Sequence, residues 1–210
     1  MLTVVTWIWG DKYSFEYAHR LHRGLRRNLR QDFDFEVLTP LPEDAELVGR
    51  GCFCRLRMFD PGWQEEMLIR DRLVCLDLDV VITGPLDELF DRPESLVILR
   101  GANAKNPNPF NCSALMLRAG AHPEIWRDFS LERAEKIPRH DWADDQGWLW
   151  HKVPDAAGWQ CGAESGIYAF RKPGWPSDDR LPRDARIVAF PGARDPSQFE
   201  HLDWVREHWR

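Results

Sequence analysis

An apolar run in the middle of the chain, residues 74–81 with the sequence VCLDLDVV, contains two aspartates two positions apart. Its β-branched and leucine side chains predict a buried strand, in which residues two apart face the same side. Asp77 and Asp79 would then present their carboxylates together near the end of that strand. Two such carboxylates repel each other unless something positive lies between them, and a hard divalent cation takes oxygen ligands of this kind.

The rival interpretation of Asp77 and Asp79 is that both carboxylates cap a loop. Burying an unpaired charge is unfavourable, which favours a bound cation over this alternative. The same spacing occurs once more, at Asp32 and Asp34, and a motif this short is prone to chance matches. Because Asp32 and Asp34 precede a strand in a polar stretch, we expect their side chains to be solvated.

Short apolar runs alternate along the chain with stretches of helical periodicity. The strand candidates are residues 2–9, 35–38, 74–82, 96–99, 113–117, 166–170 and 187–190. The helical candidates are residues 14–30, 123–129, 141–151 and part of 196–210, whereas 39–51 is a predicted loop. This order predicts an α/β fold with a mostly parallel central sheet flanked by helices. With no repeat and no linker, we expect a single domain over 1–210.

Charge and cysteine content exclude several classes of protein. The net charge is −6, whereas dedicated nucleic-acid binders are usually basic. The five cysteines are odd in number and scattered, which argues against a disulfide framework and favours buried, unreactive thiols. The apolar start is too short for a signal sequence, and no window is long enough to span a bilayer. We therefore expect a cytoplasmic protein without a transmembrane segment.

Five segments, taken in order, resemble the donor-binding core of GT-A glycosyltransferases. They are residues 54–61 (CRLRMFDP), 73–90 (LVCLDLDVVITGPLDELF), 109–117 (PFNCSALML), 144–146 (DDQ) and 187–196 (IVAFPGARDP). The sequence is most similar to the glycogenin-like group of retaining enzymes and to related uncharacterised bacterial sugar transferases. That group has a basic residue ahead of a D-x-D strand, then an F-N-S-G strand, a D-Q helix start and a terminal I-V-H-F-x-G-x-x-K-P segment. The likeness spans most of the chain.

The resemblance implies a GT-A (nucleotide-diphospho-sugar transferase) fold and a glycosyltransferase of the hexosyltransferase type. The expected donor is a nucleoside-diphosphate sugar, with UDP as the expected nucleotide, and a glycan is one candidate for the unidentified acceptor. A Mn²⁺ or Mg²⁺ ion on Asp79, with Asp77 nearby or acting through the ribose, would neutralise the departing diphosphate. The sequence leaves the sugar, the stereochemical outcome and the oligomeric state open.

The same resemblance implies roles for other side chains. Arg55 would add a fixed positive charge, and Asn111 would hydrogen-bond sugar hydroxyls. Asp145 and Gln146 would face the reacting carbon, and Asp144 or Asp145 would be the candidate base in an inverting enzyme. Each has a simpler alternative: Arg55 as half of a surface ion pair, the two aspartates as favoured helix N-terminal charges, and Asn111 as a turn residue.

The terminal segment departs from the family pattern. The family supplies a third metal-ligating His and a phosphate-binding Lys there, but the matching positions hold Ala189 and Asp195. Pro191 stands where some relatives have a second His. We therefore expect the metal site to be incomplete, water-filled or weaker, with a corresponding effect on activity. Arg194 is the residue expected to take over the phosphate contact.

Two other functions remain compatible with the sequence. A haloacid-dehalogenase-like phosphatase also has an apolar strand leading into D-x-D, with Asp77 as nucleophile and Asp79 as general acid. That motif normally lies on the first strand of its fold, whereas 76 residues precede it here. The departure at Ala189 supports a third alternative, a degenerate nucleotide-sugar or glycan binder without catalysis.

Tryptophan is unusually abundant, with 11 residues against 3 tyrosines. Trp7 and Trp9 lie on the first predicted strand, where the resemblance places the nucleotide base. One of them, Trp7 in the first place, is a candidate to line the base pocket, and core packing is the alternative that the sequence favours. Four more surround residues 144–146 in the sequence, namely Trp142, Trp148, Trp150 and Trp159. Because an indole ring suits the apolar face of a sugar, these four predict an acceptor platform, with core packing as the alternative.

A row of arginines lies on one face of the predicted helix 14–30, at Arg20, Arg23, Arg27 and Arg30. Such a face is compatible with a membrane surface or nucleic acid. Since the whole chain is acidic, we expect a solvated helix face instead.

Overall fold

The computed structural model describes residues 1–48, 52–102, 108–137 and 143–210. Its strands are β1 (Leu2–Trp7), β2 (Phe33–Leu38), β3 (Arg72–Leu76), β4 (Val80–Ile82), β5 (Leu96–Arg100), β6 (Phe110–Arg118), β7 (Ala157–Gln160), β8 (Ile167–Ala169) and β9 (Ile187–Ala189). Its helices are α1 (Phe15–Asn28), α2 (Ala45–Val48), α3 (Pro61–Glu66), α4 (Asp87–Phe90), α5 (Glu124–Arg127), α6 (Leu131–Lys136), α7 (Asp145–Lys152) and α8 (Asp203–His208). Short 3₁₀ helices span Pro42–Asp44, Phe53–Phe59 and Pro196–Phe199.

The central sheet has six strands in the order β2-β1-β3-β6-β5-β7. β1 pairs in parallel with β2 and β3, and β5 pairs in parallel with β7. β6 is antiparallel to both β3 and β5, so it alone runs against the others. The predicted α/β fold with a mostly parallel sheet is confirmed, although β6 makes the sheet mixed. A smaller sheet has the order β4-β9-β8.

The single strand predicted over residues 74–82 is wrong. β3 ends at Leu76, the chain turns through Asp77–Asp79, and β4 starts at Val80 in the second sheet. Aspartate is disfavoured inside strands and favoured in turns, because its carboxylate competes for backbone hydrogen bonds. Asp77 and Asp79 therefore lie in a tight turn between two sheets, which we call the Asp-turn.

Both faces of the central sheet are covered. Val5, Cys75 and Leu115 lie in one buried cluster together with the 3₁₀ helix Phe53–Phe59. Their neighbours along the strands, such as Val4 and Val74, lie in a second cluster with α1 and the smaller sheet. Burial of alternate residues on opposite faces is typical of sheets that helices cover on both sides. Packing in these two clusters fixes the position of the strands whose ends carry the candidate site.

The arginine face of α1 is only partly solvated. Nη1 of Arg20 donates to the carbonyl oxygen of Trp209 at 2.9 Å, and its guanidinium lies 4.0 Å from the Trp209 ring centroid. Nη2 of Arg27 donates to the carbonyl oxygen of His208 at 2.6 Å. Arg23 pairs with Glu16 on the same helix. Much of this basic face therefore contacts residues 208–210 of the chain, which corrects the expectation of a fully solvated face.

The predicted loop 39–51 contains regular structure where it is described. The 3₁₀ helix Pro42–Asp44 leads directly into α2. Asp44 is buried and accepts a hydrogen bond of 2.8 Å from Nη2 of Arg57. This contact fixes the segment against the helix that also carries Arg55.

All five cysteines lie within the described residues and carry free thiols. Cys54, Cys75 and Cys112 are buried, and burial raises the pKa of the Cys75 thiol to about 12. Buried, unreactive thiols are confirmed for these three residues. In the described part of the chain, no helix is long and apolar enough to cross a membrane. A cytoplasmic location stays a prediction from the sequence.

Candidate active site

The carboxyl ends of β1 and β3, which run in parallel, open onto a cavity of about 270 Å³. We call it the β1–β3 cavity. Its lining residues are Trp7, Trp9, Lys12, Tyr13, Cys52, Arg55, Asp77, Leu78 and Asp79. Ligands of open α/β sheets bind beyond this edge of the strands. The cavity therefore combines the position expected for a ligand with both carboxylates of the Asp-turn.

Asp77 is the first residue after β3. Its backbone N–H donates to the carbonyl oxygen of Ser113 at 3.1 Å, which continues the pairing with β6. Its carboxylate forms an ion pair with Nη1 of Arg55. The side chain of Asp77 remains 28% exposed, so part of it faces the cavity.

Arg55 lies at the centre of a buried network. Nε donates to Oδ2 of Asp145 at 3.0 Å, and Nη2 donates to the carbonyl oxygen of Cys112 at 3.0 Å. Burial alone would lower the pKa of Arg55, but the charges of Asp145 and Asp77 outweigh it and hold that pKa well above its ordinary value. The alternative of a surface ion pair is wrong for Arg55, because its side chain is only 8% exposed.

Asp79 has partners of its own. The Tyr13 hydroxyl donates to Oδ2 of Asp79 at 2.8 Å, and Nζ of Lys12 lies 4.0 Å from the same oxygen. Burial and then the charge of Asp77 raise the pKa of Asp79 to about 7. Burial, followed by the charge of Asp79, also raises the pKa of Tyr13 above its ordinary value. The backbone N–H of Phe190 donates to the carbonyl oxygen of Asp79 at 3.1 Å and brings the loop after β9 to the Asp-turn.

Residues 144–146 form the start of α7. Asp144 is the N-cap, and its Oδ1 accepts from the backbone N–H of Gly147 at 2.6 Å. Burial raises the pKa of Asp145 to about 7, while the charge of Arg55 acts in the opposite direction. Oδ1 of Asp145 accepts from the backbone N–H of Gln146 at 2.9 Å. The side-chain Nε2 of Gln146 makes one long contact, 3.4 Å to Oδ2 of Asp144.

Asn111 lies near the Arg55 network because the next residue, Cys112, is part of that network. Asn111 lies in β6 and is partly buried, and Cys112 beside it accepts from Arg55. Oδ1 of Asn111 accepts from the backbone N–H of Ser113 at 3.0 Å. This local bond is the one expected of a turn residue, but it leaves the Asn111 amide N–H groups for another partner.

Arg194 lies in the loop after β9 and is partly buried. It forms no ion pair with any residue that the structure describes. The next residue, Asp195, is buried and accepts from the Tyr17 hydroxyl at 2.8 Å and from the backbone N–H of Ser197 at 2.8 Å. Asp195 thus has a structural role in the loop, and Arg194 is the residue that keeps a free cation there.

Trp7 lines the β1–β3 cavity from the end of β1. Its ring stacks on Trp63 at 6.3 Å between centroids and is 7% exposed. Within the described chain its Nε1–H has no hydrogen-bond partner. Trp9 is partly buried and lines the same cavity. Two indoles therefore border the end of the cavity that β1 provides.

The acceptor platform predicted from four tryptophans is wrong for two of them. Trp148 and Trp159 are buried, and their Nε1–H groups donate to the carbonyl oxygens of Ile125 at 2.9 Å and Leu89 at 3.2 Å. Trp150 is partly buried and packs against the same core cluster as Trp148. Trp142 lies outside the described residues. Trp148 and Trp159 are close to residues 144–146 in the sequence, but α7 and β7 direct their side chains into the core.

The donor atoms of the Asp-turn decide whether a divalent cation fits. Arg55 already neutralises Asp77, and Tyr13 and Lys12 share one oxygen of Asp79. Ala189 is 2% exposed and packs in the core. Among the residues that the structure describes, no group of three His, Cys, Asp or Glu side chains converges on one point. These residues therefore do not fit a divalent cation held by protein ligands alone.

The sequence interpretation missed Lys12 and Tyr13, the two side chains that contact Asp79. Both follow the carboxyl end of β1. The rule that singled out Asp77 and Asp79, namely that ligands bind beyond the carboxyl ends of strands, applies equally to this first strand. A search of the loop after β1 for polar residues would have found them.

A second, more open cleft of about 600 Å³ shares no lining residue with the β1–β3 cavity. Gly84, Gln160 and Arg186 are among its lining residues. Arg186 is paired there with Glu88 at 3.1 Å. Although this cleft is larger, Trp159 is the one described residue of the predicted site that lines it, and neither aspartate of the Asp-turn does.

Comparison with known proteins gives the fold. No family model matches the chain. No curated protein matches it. Among solved structures, the glycosyltransferase GlyE of Streptococcus pneumoniae TIGR4 is similar, with 15% identity and a TM-score of 0.66 over 99% of this chain. The chain has a GT-A glycosyltransferase fold.

Two further solved structures support this fold. A glycosyltransferase involved in glycosylation of the major capsid of PBCV-1 has 14% identity and a TM-score of 0.59, over 96% of this chain and 98% of that one. The galactosyltransferase LgtC, solved with donor and acceptor sugar analogues, has 12% identity and a TM-score of 0.57, over 100% and 97%. The chain spans 63% of the GlyE chain, less than two thirds of its length. The GT-A fold predicted from five short segments is confirmed.

Proposed function

We propose that this chain is a glycosyltransferase whose nucleoside-diphosphate sugar donor binds in the β1–β3 cavity. The observation that carries the proposal is the Asp-turn, which places Asp77 and Asp79 in a cavity at the carboxyl ends of β1 and β3. Trp7 and Trp9 border that cavity, and the less buried Trp9 offers flat apolar surface to the base of a UDP-sugar. The GT-A fold, reached independently of these residues, supports the same reaction class.

The proposed reaction breaks the bond between the anomeric carbon of the sugar and the diphosphate, which leaves with the electron pair. A new bond forms between that carbon and an acceptor hydroxyl oxygen, and a base or the leaving diphosphate takes the hydroxyl proton. Asn111 is proposed to bind sugar hydroxyls. Asp144 remains the candidate base for an inverting outcome.

Asp145 and Gln146 take different parts in this proposal. Both carboxylate oxygens of Asp145 already have partners, Arg55 and the backbone of Gln146. Asp145 therefore positions the start of α7. The side chain of Gln146 has only its long contact with Asp144, so it is the polar group best placed to turn toward the reacting carbon.

The Mn²⁺ or Mg²⁺ ion predicted at Asp77 and Asp79 stays a prediction from the resemblance, and donor binding as proposed here does not depend on it. Asp77 follows β3, the third strand of the chain, whereas the phosphatase motif normally lies on the first strand of its fold, and this position disfavours the phosphatase alternative.

A donor panel tests the proposal. Purified protein is incubated with UDP-, GDP- and dTDP-sugars and an acceptor set in a buffer with Mn²⁺, and release of nucleoside diphosphate is measured. A phosphomonoester is assayed in parallel. We expect release from one nucleotide class and no phosphomonoester hydrolysis. Phosphomonoester hydrolysis without donor turnover would establish the phosphatase instead, and nucleotide binding without turnover for every acceptor would establish the non-catalytic binder.

A further inference from the structure

Two cations already lie beside the two carboxylates of the β1–β3 cavity. Arg55 pairs with Asp77, and Nζ of Lys12 lies 4.0 Å from Oδ2 of Asp79. Tyr13 donates to the same oxygen at 2.8 Å. Each carboxylate that lines the cavity therefore already has a cation beside it, although Arg55 is shared with the buried Asp145.

A divalent cation on Asp77 and Asp79 would compete with these partners. A cation between Asp77 and Asp79 would lie close to Nη1 of Arg55 and Nζ of Lys12, and like charges at contact distance repel each other strongly near a protein surface. Within the described residues, no third His, Cys, Asp or Glu joins the two aspartates. The cavity is arranged for a positive charge that the chain itself provides.

Lys12 is the side chain that is free to provide it. Its side chain is 52% exposed and its ammonium lies 4.5 Å from the Tyr13 ring centroid. The separation of 4.0 Å between Nζ of Lys12 and Oδ2 of Asp79 is longer than a hydrogen bond. Lysine has a flexible stem and commonly binds phosphate as a point charge. If the ammonium moves to a phosphate, Asp79 keeps its hydrogen bond from Tyr13.

We propose that Lys12 supplies the positive charge that binds the donor diphosphate, so that nucleotide binding requires no divalent cation. This inference rests on the proposed function. Arg194 offers a second cation from the loop that the Phe190–Asp79 backbone bond holds against the Asp-turn. The diphosphate would thus be bound from two loops, one after β1 and one after β9.

The test is isothermal titration of the full chain with UDP, GDP and dTDP, first in EDTA and then in Mn²⁺. We expect one nucleotide to bind with similar affinity in both buffers. Lys12→Met removes one charged hydrogen bond and should weaken that binding about tenfold or more in either buffer. Lys12→Arg, which keeps the charge, should bind more tightly than Lys12→Met.

A matched control is Lys136→Met, because Lys136 is 71% exposed on α6 and does not line the cavity. It should bind nucleotide as the wild type does, and thermal unfolding of each variant verifies folding. Binding that EDTA abolishes and Mn²⁺ restores would overturn the inference while leaving the proposed function in place. Unchanged binding by Lys12→Met would also overturn it. No binding of any nucleotide in either buffer would overturn both proposals.

Discussion

Arg55 and Asp145, 90 positions apart in the sequence, form a buried ion pair in which Nε of Arg55 donates to Oδ2 of Asp145 at 3.0 Å. The two side chains are 8% and 4% exposed. Because Arg55 also pairs with Asp77, one guanidinium joins the start of α7 to the Asp-turn. The geometry of both parts of the candidate site depends on this residue.

Arg55→Met should destabilise the fold. The variant leaves Asp145 buried beside an apolar side chain, and removal of one partner of a buried ion pair costs about 3–5 kcal/mol. Equilibrium unfolding in urea measures the loss. Arg206→Met is the control, because its pair with Asp203 is exposed and such pairs contribute about 1 kcal/mol or less. Equal, small losses in the two variants would contradict the buried network.

The ionisation of Asp145 should make stability depend on pH. Burial raises its pKa from 3.8 to about 7 in the folded state, so the folded protein binds this proton more tightly than the unfolded chain does. The contribution of Asp145 to the free energy of unfolding should therefore fall as pH rises from about 4 to about 7, and be constant above that.

Asp145→Asn isolates this effect, because asparagine does not titrate. The stability of the wild type minus that of Asp145→Asn, measured by urea unfolding between pH 4 and pH 8, should fall across the window. A difference that rises with pH would show that attraction to Arg55 outweighs the burial of Asp145.

Trp148 should affect stability and not acceptor affinity. Its ring is 3% exposed and its Nε1–H donates to the carbonyl oxygen of Ile125. Trp148→Ala should cost about 3–5 kcal/mol, because it opens a cavity in the core. Thermal unfolding measures the loss, and the milder Trp148→Phe keeps enough folded protein for kinetics. A raised KM for acceptor in Trp148→Phe with unchanged stability would restore the platform hypothesis.

The Asp-turn shows what the sequence could and could not predict. Periodicity correctly predicted that the residues on both sides of Asp77 and Asp79 are buried. It could not show that Leu76 and Val80 belong to different sheets, because both are apolar and the break depends on pairing with β6 and β9. The prediction that both carboxylates lie at the carboxyl end of a strand is still correct, because a turn that directly follows β3 also lies at that end.

The other features that the sequence could not predict depend on long-range contacts. The ion pair of Arg55 with Asp145 joins segments that only the tertiary fold brings together, so no local pattern could reveal it. The proximity of Lys12 to Asp79 depends in the same way on a loop and a turn from different strands. The platform prediction for Trp148 and Trp159 failed because residues that are close in the sequence need not be close in space.

The most direct measurement is kcat/KM for nucleoside diphosphate release from the active donor by two aspartate variants. Asp79→Asn changes the Asp-turn, whereas Asp34→Asn changes the other D-x-D pair, on β2, where Asp34 is exposed. Asp79→Asn removes the negative charge that holds the Tyr13 hydroxyl and the Lys12 ammonium at the cavity. Loss of a hydrogen bond to a charged group costs about 1.5–3 kcal/mol, so we predict a fall of about tenfold or more for Asp79→Asn, with wild-type activity for Asp34→Asn. Equal activity of the two variants would contradict donor binding at the Asp-turn.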